Sequence, residues 1–164
     1  MATGGETVVM ARHDLDELQR LVAAHGVTHT FLPPTLVYML LDHERLDPGM
    51  LSSLRCLWYG AAPMSPTRLA QAIEVLGPVM AQLYGQTEAP MMIATMSPEE
   101  HLRPDGTPAT ERFGAAGRPA PLVMVRIVDN EGVEVPRGTP GEIVVRGPLV
   151  MPGYHQDPEA TAEA

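Results

Sequence analysis

Tyr84-Gly85-Gln86-Thr87-Glu88 puts an aromatic ring, a glycine, an amide, a hydroxyl and a carboxylate into five consecutive residues. Those groups can lie against a nucleotide base, bond a phosphate oxygen and ligate a divalent metal, since a hard cation selects carboxylate oxygen. The same residues also read as a strand-to-loop turn with a solvated glutamate, and the pentapeptide alone does not separate the two readings. A second stretch, Gly60-Ala61-Ala62-Pro63, consists of residues small enough to let a ligand approach the backbone.

Other reactive residue types give little. Cys56 is the only cysteine among 164 residues, so no internal disulfide can form. A lone cysteine reads first as a small hydrophobe. The six histidines are scattered, and no zinc site is read from them. Eleven basic residues against 20 acidic ones give a net charge of −9, without a basic cluster. Nucleic-acid binding is therefore not expected. The N-terminus has no charged region followed by an apolar one, and the apolar run from Thr30 to Leu41 is broken by Pro33-Pro34. No signal peptide or transmembrane segment is expected, and a cytoplasmic location follows as an expectation.

The elements that position the pentapeptide alternate. Thr7 to Ala11 is a β-branched run that predicts a strand. Asp14 then caps a helix, with Glu17 in capping-box spacing and Leu15, Leu18, Leu21 and Val22 on one face. Gly26 ends it. Strands are expected at 27–32, 54–59 and 79–84, and helices after Pro33-Pro34-Thr35 and after Ser65-Pro66, an N-cap and N1 pair. Strand and helix in alternation imply a mostly parallel sheet. The turns at 33–35, 60–63 and 85–88 then fall at the carboxyl edge, where such sheets bind ligands.

Beyond residue 96 the character changes. Residues 97–121 are rich in Pro, Gly and Thr and read as a long functional loop, with Gly114 to Pro119 a compact turn. Strands at 122–128 and 142–146, with turns at 129–132 and 138–141, predict a small antiparallel unit. The expected fold class is α/β: part of a parallel α/β sheet domain, then a small antiparallel β subdomain, truncated at both ends. The expected division is 1–96 for the α/β portion, 97–113 for a connecting loop and 114–164 for the start of the β-rich subdomain.

The chain resembles the AMP-forming adenylating enzymes, most closely the fatty and aryl carboxylate–CoA ligases. The residues that carry the resemblance are Tyr84 to Glu88, Gly60-Ala61-Ala62-Pro63 and Gly114 to Pro119. The fourth block is Gly141 to Gly147 running into Gly153-Tyr154-His155-Gln156-Asp157-Pro158-Glu159-Ala160-Thr161. Four blocks in family order cover essentially the whole chain. The resemblance implies ATP/AMP and coenzyme A as co-substrates, a small-molecule carboxylic acid as substrate, and Mg²⁺. It implies that Tyr84 lies against adenine, that Thr87 bonds the α-phosphate, and that Glu88 ligates the metal. Gly60, Ala61 and Ala62 would form a close wall beside adenine and the acyl group, and Gly85 and Gln86 would border the acyl pocket. Thr87 and Glu88 are thus the catalytic candidates. Arg118 reads as a brace of the β unit rather than a chemical group.

Other parts of the family pattern have no match. No Gly/Ser/Thr-rich phosphate loop ending in lysine precedes the pentapeptide, the chain contains no lysine, and the ribose-binding Asp has no counterpart. The expectation is an internal piece of a carboxylate–CoA ligase, inactive alone, whose partner is the missing remainder of the enzyme. The alternatives are a stand-alone, non-catalytic nucleotide-binding or interaction module, and an amino-acid-activating adenylation domain.

Overall fold

The computed structural model describes residues 4–164 and divides into two compact units. The first is Met1–Gln82 with Met96–Ala115; the second is Leu83–Thr95 with Ala116–Ala164.

In the first unit, helix α1 (Leu15–His25) starts at Asp14, whose carboxylate accepts from the Asp16 and Glu17 amides at 3.1 and 3.0 Å. Those are donors a helix start would otherwise leave unpaired. It stops at Gly26, which takes the left-handed conformation (φ 58°) as expected. Helix α1 buries Val22 and, unusually, Gln19. The Gln19 amide is satisfied: Oε1 accepts from Asp47 N–H at 2.7 Å and Nε2 donates to the Leu15 carbonyl at 3.2 Å.

Strand β1 (His29–Phe31), helix α2 (Pro34–Leu41), strand β2 (Cys56–Tyr59) and helix α3 (Pro66–Leu76) follow, and β3 (Met80–Gln86) begins in this unit. Strands β1 and β2 run parallel, with His29 opposite Cys56; β2 and β3 run parallel, with Leu57 opposite Met80 and Tyr59 opposite Gln82. Val37, Leu40, Leu57, Tyr59, Leu69 and Met80 sit in the core. Each apolar position comes from a helix face or a doubly covered strand, as a parallel sheet requires. The 97–113 stretch contributes His101, Ala109 and Phe113, all buried.

The second unit holds the end of β3, then β4 (Ala89–Met96, through Thr95) and β5 (Arg118–Pro119). Strands β4 and β5 are antiparallel, with Thr95 opposite Arg118. The sheet order is β1-β2-β3-β4-β5. A separate antiparallel ladder joins β6 (Met124–Val128) to β7 (Glu142–Arg146), from Met124 opposite Arg146 to Val128 opposite Glu142. Helix α4 (Pro158–Glu163) closes the chain. The α/β class with a small antiparallel β ladder is as expected. Among the described residues no helix is long and apolar enough to cross a membrane.

Four local expectations are corrected. Thr7 to Ala11 forms no strand, and Val9 is exposed. Its β-branched residues find no neighbouring strand, and propensity without a packing surface does not make one. Ser65 starts α3 without a side-chain cap; its N–H donates instead to the Tyr38 hydroxyl at 2.7 Å. Gly114 to Pro119 is not wholly a turn, because Arg118-Pro119 pairs with β4 as the last strand of the order. Proline is tolerated there because an edge strand can spare a donor. Finally, β3 runs to Gln86, so the expected four-residue turn shrinks to Thr87-Glu88, which links β3 directly to β4.

Candidate functional site

In the second unit the pentapeptide spans the end of β3 and the two-residue link. Tyr84 and Gly85 are half-buried, Gln86 and Thr87 are exposed, and Glu88 is half-buried. Gly85 is required by close backbone approach. A Cβ there would stand 2.3 Å from the Met91 amide nitrogen and 2.9 Å from the Ala89 carbonyl oxygen. Met91 itself takes a left-handed conformation (φ 60°) at this crossing. Glycine thus lets β4 fold back tightly, which fixes the link that presents Thr87 and Glu88.

Glu88 is anchored by the segment before α4. Its carbonyl accepts from Met151 N–H at 2.8 Å, and its Oε1 accepts from the Tyr154 hydroxyl at 2.5 Å. The Tyr154 bond, with help from Glu88's own backbone amide, holds the carboxyl below the usual carboxylate range. The same bond pushes the Tyr154 phenol up. Glu88 is therefore an ionised acceptor at neutral pH.

In the first unit, Gly60 is buried directly after β2, while Ala61, Ala62 and Pro63 are exposed. Ala61 sits at φ 66°, a region in which side chains larger than a methyl are crowded further. The turns after β1 and β2 leave the same edge of parallel strands, though the first is shorter than the expected Pro33-Pro34-Thr35, because Pro34 and Thr35 already belong to α2. The third expected turn, residues 85–88, belongs to the second unit. Arg118 lies on β5, opposite Thr95.

Among the described residues no group of three or more His, Cys, Asp or Glu side chains is placed to hold a metal. His25 and His29 have the four-residue spacing of a zinc helix, but His25 ends α1 and His29 starts β1, so they do not share a helix face. A single carboxylate is still a fitting donor set for Mg²⁺, which is usually held by one or two carboxylates plus substrate phosphates. Glu88, ionised and on an accessible link, meets that requirement.

Two features escaped sequence reasoning. Tyr154 was visible within the Gly153-to-Thr161 block, but nothing in the spacing tied it to Glu88, 66 residues away. The buried Tyr59–His101–Gln82 cluster had no sequence signal, since His101 lies in a stretch that reads as a loop.

Comparison with known proteins adds the context. A medium/long-chain-fatty-acid–CoA ligase, FadD8 of Mycobacterium tuberculosis, is 40% identical over 159 residues, 97% of this chain and 27% of the ligase. 4-Coumarate–CoA ligase 5 of Oryza sativa subsp. japonica is 38% identical over 165 residues, 98% of this chain and 29% of that protein. The solved amide bond synthetase McbA from Marinactinospora thermotolerans superposes with a TM-score of 0.88 at 42% identity, covering 99% of this chain and 31% of that one. The chain thus spans under a third of the length of these relatives. Residues 1–155 match the model of the AMP-binding enzyme family, and the chain belongs to that family.

Proposed function

We propose that this chain is an internal segment of an ATP-dependent carboxylate–CoA ligase and does not turn over alone. The observation that carries this reading is the Thr87-Glu88 link: an exposed hydroxyl beside an anchored, ionised carboxylate, at the end of a strand of the α/β sheet. Two CoA ligases among the relatives support it. In the larger enzyme, residues 1–96 belong to the α/β portion, 97–113 connect, and 114–164 begin a β-rich subdomain.

In this reading a carboxylate attacks the α-phosphate of ATP and releases pyrophosphate; coenzyme A thiol then displaces AMP to form a thioester. Such chemistry is mostly positioning and charge stabilisation. Tyr84 lies against adenine. The Thr87 hydroxyl would donate a hydrogen bond to an α-phosphate oxygen, and the Glu88 carboxylate would hold Mg²⁺, which would supply neutralisation of phosphate charge. Gly60, Ala61 and Ala62 form the small-residue wall, and Gly85 and Gln86 border the acyl pocket. Exposed Met124 and Val144 on one face of the β6–β7 ladder, and exposed Ile143 on the other, support the view that further chain packs on the ladder in the whole protein.

A second reading is favoured by the 42% identity to an amide bond synthetase. In this second reading of the present chain, an amine instead of a thiol consumes the acyl-adenylate. The two readings share the first half-reaction and differ in the acceptor.

The isolated chain, given ATP, Mg²⁺ and fatty or aryl acids, is expected to form no acyl-adenylate. Built into the matching quarter of the fatty-acid–CoA ligase relative, it is expected to support adenylation, with CoA and an amine then offered as competing acceptors. Turnover by the isolated chain contradicts the segment reading. A folded chimera with no adenylation contradicts the ligase reading.

A further inference from the structure

Glu88 is held twice by one short segment. Met151 N–H bonds its carbonyl and the Tyr154 hydroxyl bonds its carboxylate. Among the described residues no other side chain donates to that carboxylate. An O–H···O⁻ bond of 2.5 Å is charge-assisted and roughly twice as strong as a neutral one.

Tyr154 is itself aimed. Its N–H donates to Thr161 Oγ1 at 2.9 Å, and the Thr161 hydroxyl donates to the Asp157 carbonyl at 2.6 Å. Asp157 caps α4 by accepting from Ala160 N–H at 2.9 Å, with Pro158 in the first turn. Gly153 leaves the space that this packing needs, because a Cβ there would lie 2.7 Å from Thr161 Cγ2 and 2.9 Å from Oγ1. Gly153, Asp157 and Thr161 therefore fix the backbone from which the Tyr154 ring reaches Glu88.

We propose that Tyr154 is a positioning residue for the Glu88 carboxylate, and that the Gly153–Asp157–Thr161 clamp serves to aim it. The proposal rests on the reading of Glu88 as the metal-facing carboxylate. A glutamate on a two-residue link has several side-chain rotamers open to it. The phenol selects one of them by holding Oε1, which leaves the other oxygen to a ligand. Partners of this kind orient metal ligands and set their affinity. Tying the segment to the link does not require the phenol, since the Met151–Glu88 bond already does so. The two roles can therefore be separated by substitution.

The test compares the wild-type chain with Tyr154→Phe, Thr161→Val and Thr161→Ser, isotopically labelled at glutamate. Two quantities are read: the side-chain order of Glu88 by ¹³C relaxation, and the amide hydrogen exchange of Met151. Tyr154→Phe is expected to free the Glu88 side chain while leaving Met151 exchange within about threefold of wild type, a margin well under 1 kcal/mol of local opening. Thr161→Val is expected to free Glu88 in part, and Thr161→Ser, which keeps the hydroxyl, to behave as wild type. An equally ordered Glu88 in Tyr154→Phe overturns the proposal. So does loss of Met151 protection in that variant, which would make Tyr154 a strap only. A separate arm adds Mn²⁺ alone and follows line broadening at Glu88. The half-broadening concentration is expected to rise about tenfold in Tyr154→Phe, the low end of such partner effects. Absence of broadening in the wild-type chain would count against the metal reading of Glu88, while the order measurement would still decide the role of Tyr154.

Discussion

The Tyr59 phenolic oxygen stands 2.9 Å from Nε2 of His101 inside the first unit, and each residue is only 1% exposed. His101 Nδ1 faces the Ser97 carbonyl at 2.7 Å, so that nitrogen must carry a proton. Burial pushes the His101 pKa down. A neutral ring can accept the Tyr59 proton at Nε2, and Gln82 Oε1, 3.0 Å from the phenol, competes as acceptor for that same proton. Protonation of His101 would send the Tyr59 proton to Gln82 Oε1 instead.

Stability is therefore expected to depend on pH through His101. Its folded pKa lies below its unfolded value of about 6.5, so between the two values the unfolded chain binds the extra proton. The stability is fully present above the unfolded value and is lost as pH falls toward the folded one. Thermal melts from pH 7.5 down to 5 should show a falling midpoint, and His101→Gln should flatten that slope. An unchanged slope in the variant contradicts this account.

Tyr59→Phe leaves buried His101 and half-buried Gln82 without their shared partner. The expected loss is about 2 kcal/mol, in the range for unsatisfied buried groups, measured by urea unfolding. A loss below about 0.5 kcal/mol would mean that water replaces the phenol in the cluster.

Gly85→Ala drives a methyl into the backbone of Met91. Backbone cannot give way as a flexible side-chain tip does, so a destabilisation of about 3 kcal/mol is expected from overpacking. Unchanged stability would show that β3 and β4 are not held this close.

Ala61→Gly should act in the opposite direction. At φ 66° an alanine carries about 1–2 kcal/mol of strain that glycine lacks, offset by about 0.4–1 kcal/mol of extra unfolded-chain entropy. A net gain of about 0.5 kcal/mol in urea unfolding is expected; a loss would contradict the strain.

Elements dictated by local chemistry were legible in the sequence. The Asp14 cap, the Gly26 stop, the parallel strands β1 to β3 and the β6–β7 ladder all follow from capping residues or from apolar period. What needed a distant partner was not. Thr7 to Ala11 looked like a strand until no neighbour was found for it, and Arg118-Pro119 looked like a turn until Ala94 and Thr95 were placed beside it. The pentapeptide was legible as a candidate site because its residue types are chemical. Its anchoring by Tyr154 was not, because a hydrogen bond across 66 residues leaves no trace in local spacing.

The central claim is that Thr87 and Glu88 take part in adenylation within a complete ligase. It is tested most directly by building this chain into the matching quarter of the Mycobacterium tuberculosis relative and measuring fatty-acid-dependent ATP–pyrophosphate exchange. The wild-type chimera is predicted to exchange. Glu88→Gln is predicted to reduce exchange by about 100-fold or more, the scale for removing one group that stabilises transition-state charge. Exchange by the Glu88→Gln chimera at the wild-type rate would contradict the account.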